Sequence, residues 1–382
     1  MFFMTSVCEI VEKNSPQAVR TRESDPNKTR VAVLMSGGVD SSTCAALLLE
    51  QGYEVIGVTG WLIKSGSRCC DTGMIDAARV CEDLNIEHHA VDLRELFKSQ
   101  IIDQFHQSYE RAKTPLPCSL CNTLIKWGAL LNYAKKHLNA KYIATGHYAR
   151  VIEVDGVKHL ARAKDNTKDQ SYVLWGITRE QLESTMLPLG DLLKTEIRGM
   201  AQERNLVVAN RPDSQDLCFI PQGSTVQDYL ANHLDAKPGA IIHVVTGEVL
   251  GQHEGTHNYT IGQRRGIKIA YSEPLYVISL DPDTRTVYVG PKESLLSNEL
   301  TASFVNWLVP NIPSEPFEAL CKVRYNSRTK KAMVYPFARE SENDLYKVRV
   351  VFDEPEPAIT PGQVLGIYDM SDTYILGGGW ID

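Results

Sequence analysis

One stretch, Arg30 to Ser42, limits the folds open to this chain more than any other; it reads Arg-Val-Ala-Val-Leu-Met-Ser-Gly-Gly-Val-Asp-Ser-Ser. Val31 to Met35 form a continuous apolar run, the pattern of a strand buried on both faces of a parallel sheet. Ser36, Gly37 and Gly38 break that strand, and Ser41 to Glu50, rich in Ala and Leu, predicts a helix. A strand, a glycine turn and a helix N-terminus together make an anion site. Amide N–H groups point outward there, and glycine lets a phosphate approach the main chain closely. No Gly-Lys-Ser/Thr follows the glycines, so the turn is not a Walker A loop, and it is not G-x-G-x-x-G either.

The next 120 residues or so repeat the same alternation. Strands are predicted at Glu54 to Gly60, Ile86 to Val91 and Lys141 to Thr145, and helices at Gly73 to Leu84 and Leu93 to Tyr109. That order predicts an α/β domain with a doubly wound parallel sheet. Ligands on such sheets sit at the carboxyl ends of the strands. Ser36 to Ser41, Trp61 to Lys64 and Gly146 to Tyr148 all occupy such ends, so three segments are expected to converge on one crevice.

Between two of those strands runs Thr114-Pro-Leu-Pro-Cys-Ser-Leu-Cys-Asn. Its prolines suit an extended loop, and Ser119 is a candidate N-cap for a helix to about His137, with Leu124, Trp127, Leu131, Ala134 and Leu138 on its buried face. Cys121 would then lie in the first turn, where the helix dipole favours a thiolate. Cys118-x-x-Cys121 lacks the second Cys or His pair of a structural zinc site. Cys218 follows Asp213 and Asp216, acids that would disfavour its thiolate if they were its nearest charges, and it reads equally as a half-buried structural cysteine.

At 382 residues the chain should hold two or three domains. The boundaries read as an extension without structure at 1–29, the α/β domain at 30–220, a small mostly-β domain at 221–291 and a β-barrel at 292–382. Val151 to Arg162 and Pro238 to Gly251 read as hairpins, and Leu192 to Arg204 as helix. Glu9, Glu12, Glu23 and Asp25 argue against a transit peptide in the extension. Nine cysteines in such a chain suggest reduced thiols and a cytoplasmic setting, with Cys44, Cys81 and Cys321 acting as small apolar side chains. No apolar run reaches the roughly 18 residues that span a membrane. A net charge of −7 argues against indiscriminate nucleic-acid binding. Locally, however, Lys322, Arg324, Arg328, Lys330 and Lys331 fall within ten residues without an acid, with Tyr325 among them, a composition suited to a phosphate backbone and a stacked base.

Ser-Gly-Gly-Val-Asp-Ser resembles the pyrophosphate loop of enzymes that split ATP between its α and β phosphates. With Pro-x-x-Cys-Asn, Ala-Thr-Gly-His-Tyr, Lys-Asp-Gln-Ser-Tyr, Asp-x-Cys-Phe-Ile, Tyr-Thr-Ile-Gly-Gln-Arg-Arg-Gly and Arg-Tyr in that order, the chain from about Arg30 to Asp382 resembles the bacterial tRNA-specific 2-thiouridylases. The resemblance implies ATP-dependent conversion of the wobble uridine 2-carbonyl to a thiocarbonyl in tRNAs for Lys, Glu and Gln. O2 is adenylated, and a cysteine-borne sulfur then attacks C2.

On that resemblance Cys121 is the nucleophile and Cys218 the persulfide carrier, the two closing to a disulfide after transfer. Leu34, Met35, Ser36, Gly37, Gly38, Val39, Asp40, Ser41, Ile63 and Gly146 would bind ATP, with Mg²⁺ bridging the phosphates. Leu116, Pro117 and Cys118 would border the target base, which must be unstacked. His147, Lys168, Asp169, Gln170, Arg324, Tyr325 and Gln363 would touch tRNA. A persulfide donor protein would load the enzyme, which is expected to be monomeric when free. Ile63 stands where many relatives have Met, and Cys118 where many have Asp. The second departure leaves open a [4Fe–4S] cluster on Cys118, Cys121 and Cys218. Amide-forming or lysidine-forming relatives of the loop, and a non-enzymatic RNA-binding protein, are the rival classes. The first lack an ammonia-generating set here, the second have no use for paired cysteines, and the last leaves the loop unexplained.

Overall fold

A computed structural model describes residues 17–20 by their backbone and residues 25, 27–63, 72–213, 217–338, 341 and 344–382 in full. Glu9, Glu12, Glu23, Lys64 and Asp216, named above, lie outside the described residues.

The expected parallel sheet is present. It contains β1 (Gln17–Arg20), β2 (Arg30–Leu34), β3 (Glu54–Trp61), β4 (Glu87–Asp92), β5 (Tyr142–Ala144) and β8 (Thr185–Met186). Their order across the sheet is β1-β4-β3-β2-β5-β8, and all neighbours are parallel except β1. β2 is central, and its alternate side chains enter two cores. Val31, Val33 and Met35 pack on one face and Ala32 and Leu34 on the other. This double burial is why the strand has no polar position after Arg30.

Helices α1 (Val39–Glu50) and α2 (Gly73–Asp83) supply the first core, including Cys44 and Cys81. Burial raises both thiols, Cys81 to about 12, and raises Cys321 in the barrel as well. Helices α3 (94–110) and α4 (117–138) supply the other core. Both contain a π-helical turn, at Lys98–Ile102 and Asn122–Leu130. The wider turn in α4 rotates the expected apolar stripe. Trp127, Leu131, Ala134 and Leu138 are buried as expected, but Leu124 is only half-buried. Trp127 anchors the helix, its indole N–H donating to Thr185 Oγ1 at 2.7 Å.

Two expectations need correction. Of the extension expected to lack structure, Gln17–Arg20 pair antiparallel with the sheet-edge strand β4, Ala18 opposite His89. An edge strand presents unpaired backbone groups, and an extended segment satisfies them. Ser119 is not an N-cap. Helix α4 starts at Pro117 after Leu116, and the Ser119 hydroxyl donates to the Val173 carbonyl at 3.3 Å. Proline needs no N–H at a helix start, so the helix begins three residues earlier than expected.

Beyond the hairpin β6 (Ala149–Val154) and β7 (Val157–Arg162) come helices α5 (Arg179–Glu183), α6 (Lys194–Glu203) and α7 (Val226–Ala231). A four-stranded sheet follows, ordered β10-β9-β12-β11, from β9 (Gly239–His243), β10 (Val249–His253), β11 (Tyr276–Asp281) and β12 (Thr286–Gly290). The last six strands close a barrel. They are β13 (Leu296–Trp307), β14 (Phe317–Lys322), β15 (Lys330–Pro336), β16 (Val348–Pro357), β17 (Val364–Tyr368) and β18 (Ile375–Ile381).

The barrel is pinned to the α/β domain by polar and aromatic contacts. Arg162 bridges Asp169 at 3.1 Å and Asp372 at 2.7 Å, with its guanidinium 4.3 Å from the Tyr368 ring centre. Asn306 Nδ2 donates to the carbonyls of Trp175 and Ile177, both at 2.7 Å. Trp175 and Trp380 meet edge to face. Gln363 Nε2 donates to the Thr114 carbonyl at 2.8 Å, so the barrel also holds the start of the loop that carries Cys118 and Cys121.

Candidate active site

The glycine turn closes against two other backbones. Gly37 has φ +71°, and a Cβ there would lie 2.2 Å from the Gly73 carbonyl oxygen at the start of α2. A Cβ on Gly146, after β5, would lie 2.8 Å from the backbone of Asp40 and Ser41. Only glycine fits either position. Inside the turn, Ser41 Oγ accepts from the Ser36 amide at 3.2 Å. Gly38 caps α1 without a side chain, which leaves first-turn amides for an anion.

Two adjoining cavities open at this turn. The inner one, about 250 Å³, is lined by Ser36, Asp40 and Ser41 from the turn, by Gly146 and His147, and by Cys121 from α4. The outer one, about 720 Å³, continues past Gly38 and Val39 to Leu116, Cys118, Lys168 and the barrel residue Tyr325. Leu34 and Met35 line the inner cavity, and Gln170 lines both. The strand ends, the cysteine loop and the barrel thus meet at one place.

Several candidates have other tasks. Asp169 is buried, and its carboxylate accepts from the amides of Ala163 and Ser171 and from Arg162, so it organises the barrel contact. Ile63 lines neither cavity; its carbonyl accepts from the Trp61 indole at 2.9 Å. Pro117 faces a third, largely apolar cavity with Trp380. Arg324 Nη2 lies 3.3 Å from Glu356, Lys330 shares that carboxylate at 3.3 Å, and Lys331 meets Glu318 at 2.6 Å. Lys322 is buried above the rings of Tyr172 and Tyr325, and burial lowers its pKa. The basic run is therefore largely neutralised by acids from neighbouring strands, and only part of it is a solvent-facing charge.

The cysteines also differ from expectation. Cys121 is buried, at 9% exposure, and sits in the second turn of α4 rather than the first, where an end dipole acts strongly. Cys118 is exposed as a residue, yet protein around its sulfur raises the thiol pKa, while the Lys126 ammonium opposes that rise. Cys218 is half-buried against the core near Phe219 and lines neither cavity. Cys121 and Cys218 are not joined in a disulfide. Among the described residues no three of His, Cys, Asp or Glu come together as metal ligands, so the three thiols do not form the cluster site considered above. Asp213 is not held for Cys218. It pairs with Lys194 at 3.0 Å, Arg198 at 2.6 Å and Lys168 at 3.4 Å, and these cations hold its carboxyl below its usual range against the opposing effect of burial.

That arrangement exposes residues that motif reading passed over. Lys194, nearly buried at the start of α6, reaches Asp40 at 2.6 Å beneath the glycine turn. Tyr148 donates to the same Asp40 oxygen at 2.7 Å, and burial followed by the Asp40 charge drives its pKa far up, so it stays a donor. Arg211 donates to the Gly37 carbonyl at 2.8 Å and also pairs with Asp76. Burial, then the neighbouring Lys126, pushes His147 well below its ordinary value, so its imidazole is neutral. The one available signal was position. Lys126 lies in the helix just after Cys121, and Lys194 and Arg211 flank the segment leading to Cys218.

Three family models match consecutive parts of the chain. They are described as the tRNA methyl transferase HUP domain (residues 29–222), the tRNA methyl transferase PRC-barrel domain (227–291) and the aminomethyltransferase beta-barrel domain (297–381). The tRNA-specific 2-thiouridylase MnmA of Nostoc punctiforme is 46% identical over 355 residues, covering 92% of this chain and 99% of that protein. The chain belongs to the tRNA-specific 2-thiouridylase family. The 2-thiouridylases of Acaryochloris marina (45% identity, 92% and 99% coverage) and Microcystis aeruginosa (46%, 92% and 98%) match over the same extent. The likeness to these 2-thiouridylases therefore includes the glycine turn, both cysteine segments and the barrel.

Proposed function

We propose that this chain is a tRNA-uridine 2-sulfurtransferase that adenylates the uridine with ATP and replaces the oxygen at C2 by sulfur. Family membership supports the reaction, and one observation carries the reading: Cys121 lines the same inner cavity as Ser36, Asp40, Ser41 and Gly146. A thiol and a phosphate-binding turn on one small cavity suit chemistry in which ATP activates an oxygen that sulfur then displaces. No helix among the described residues is long and apolar enough to cross a membrane.

ATP would lie with its phosphates on the turn 36–41, close to Lys194 and Arg211. The target uridine, the wobble base on the resemblance, would enter through the outer cavity between Leu116, Cys118 and Tyr325, unstacked so that C2 reaches the inner one. His147, Lys168 and Gln170 line that route, and Arg324 and Gln363 lie on the barrel beside it. In the first step O2 attacks the α-phosphorus, the P–O bond to pyrophosphate breaks, and pyrophosphate leaves with the electron pair. In the second, Cys121 attacks the inner sulfur of a Cys218 persulfide. The S–S bond breaks toward the outer sulfur, which bonds C2 as AMP departs with O2, leaving a Cys121–Cys218 disulfide that a two-electron reductant must reopen.

Because Cys218 lines neither cavity, this relay requires the turn 217–220 to move toward Cys121. Membership of the 2-thiouridylase family supports the persulfide over an iron–sulfur cluster. Mg²⁺, when bound, would offset phosphate charge. Asp40 and Asp213 are the carboxylates beside the turn, and both share Lys194, so the ion would be held mainly by the phosphates themselves. The persulfide would come from a sulfur-donor protein.

The test is Cys121→Ala. Pyrophosphate release that depends on tRNA should persist, and 2-thiouridine should fall below detection. Thionucleoside formed at the wild-type rate would remove Cys121 from the chemistry. Absence of tRNA-dependent pyrophosphate release from the wild-type chain would remove the function itself.

A further inference from the structure

Five residues border both cavities: Ser36, Asp40, Lys126, His147 and Gln170. Lys126 is the one lysine or arginine among the described residues lining the inner cavity. It comes from the π-helical turn Asn122–Leu130, and the inner cavity takes Cys121, Ile125, Lys126 and Leu130 from this helix. Those spacings of four and five match a widened turn. An α-helix at 100° per residue would carry a residue five positions beyond Cys121 well away from it.

The ammonium is held in place rather than tethered loosely. It donates to Asn122 Oδ1 at 2.8 Å and to His147 Nε2 at 3.3 Å. Each partner is itself fixed. Asn122 Nδ2 donates to the Val173 carbonyl at 3.0 Å, and His147 Nδ1 lies 2.8 Å from Thr145 Oγ1. A neutral imidazole whose Nε2 accepts from Lys126 carries its proton on Nδ1, which then donates to Thr145. No carboxylate ion pair to Lys126 is present among the described residues, in contrast to Lys194, which is paired with Asp40 and Asp213. Lys126 thus brings a positive charge to the cavity wall without an acid among the described residues paired to it.

Charge moves in two directions during the reaction of the preceding section, on which this inference rests. In adenylation it gathers on pyrophosphate, toward the turn amides, Lys194 and Arg211. In sulfur transfer the C2–S bond forms, the C2–O2 bond breaks, and the electron pair goes to the phosphoryl oxygens of AMP beside Cys121. We propose that Lys126 is a catalytic residue of the second step, its ammonium binding the α-phosphoryl oxygens of the adenylated uridine and stabilising AMP as it leaves. Asn122 and His147 are positioning residues for that ammonium. A fixed cation aimed at developing charge acts more strongly in the transition state than in the ground state.

The experiment compares Lys126→Met and Lys126→Arg in the full-length enzyme with persulfide donor, transcript tRNA and ATP labelled at the α-phosphate. For Lys126→Met, thiolation should slow about 100-fold, the typical effect of deleting one preorganised charge-stabilising donor. Pyrophosphate release in the first turnover and thermal unfolding should stay near wild type, and label should accumulate on tRNA. Lys126→Arg should recover a substantial part of the rate. Wild-type thiolation by Lys126→Met, or an equal loss of both steps unrelieved by arginine, would overturn the proposal. Failure of the wild-type chain to release pyrophosphate would instead overturn the function it rests on.

Discussion

The cleft and the barrel both concentrate basic residues, and they use them differently. In the cleft, Lys168, Lys194 and Arg198 converge on the single carboxylate of Asp213, with Asp40 as a second partner of Lys194. Cations outnumber acids there, and Lys168 and Lys194 face a cavity. On the barrel, Arg324 and Lys330 share Glu356, Lys331 is paired with Glu318, and Lys322 is covered by tyrosine rings. The barrel has the denser run in sequence, whereas the cleft gathers its cations on two carboxylates beside the phosphate turn. A cation contributes to binding according to what already neutralises it, and the neutralising groups are remote in sequence in both regions.

The largest effect that this comparison predicts is at Lys194. Lys194→Ala leaves Asp40 and Asp213 without their shared ammonium beneath the phosphate turn, and tRNA-dependent pyrophosphate release should fall by about 100-fold. Steady-state pyrophosphate assays over a range of ATP concentrations would read it, and a rate within threefold of wild type would mean that the cleft excess is not functional. Arg162→Ala sharpens the contrast from the other side, because Arg162 is a cation whose whole use is structural. Losing its bonds to Asp169 and Asp372 and its contact with Tyr368 should lower stability by about 2–3 kcal/mol, less than the roughly 3–5 kcal/mol of a fully buried broken pair because Asp372 is part-exposed. Denaturant unfolding measures it, and a loss below 1 kcal/mol would show that Arg162 is not needed to hold the barrel.

The smallest effect is expected at Arg324. Already bonded to Glu356, it can offer a phosphate only part of its charge, so Arg324→Ala should weaken tRNA binding by about threefold and reduce the salt slope by less than one. Filter binding between low and moderate salt would decide it. A tenfold loss would place the barrel on a par with the cleft and end the distinction.

The sequence was most informative where backbone geometry dictates residue type. Gly37 and Gly146 admit no side chain, the run Val31 to Met35 has to be buried on both faces, and these local demands are written in the residues themselves. It was least informative about helix starts and about charge. Ser119 looked like a cap because serine caps helices, but Pro117 began the helix first and the serine found the Val173 carbonyl instead. The ten residues from Lys322 to Lys331 contain no acid, yet Glu318 and Glu356 arrive from β14 and β16. Asp169, beside a lysine and a glutamine in a polar motif, folded inward onto Arg162.

From the order of its motifs alone, the chain is determined to have a parallel sheet with a phosphate turn at its centre, a later closed barrel, and cysteines after the first helix pairs. Only the folded chain decides that Cys121 shares a cavity with the turn while Cys218 stands outside it, and that Lys126 brings a charge to that cavity while Arg324, Lys330 and Lys331 are paired with acids. The physical reason is range. Strand burial and glycine conformation are properties of neighbours along the chain, whereas ion pairing and cavity lining depend on groups that folding alone brings within a few ångströms.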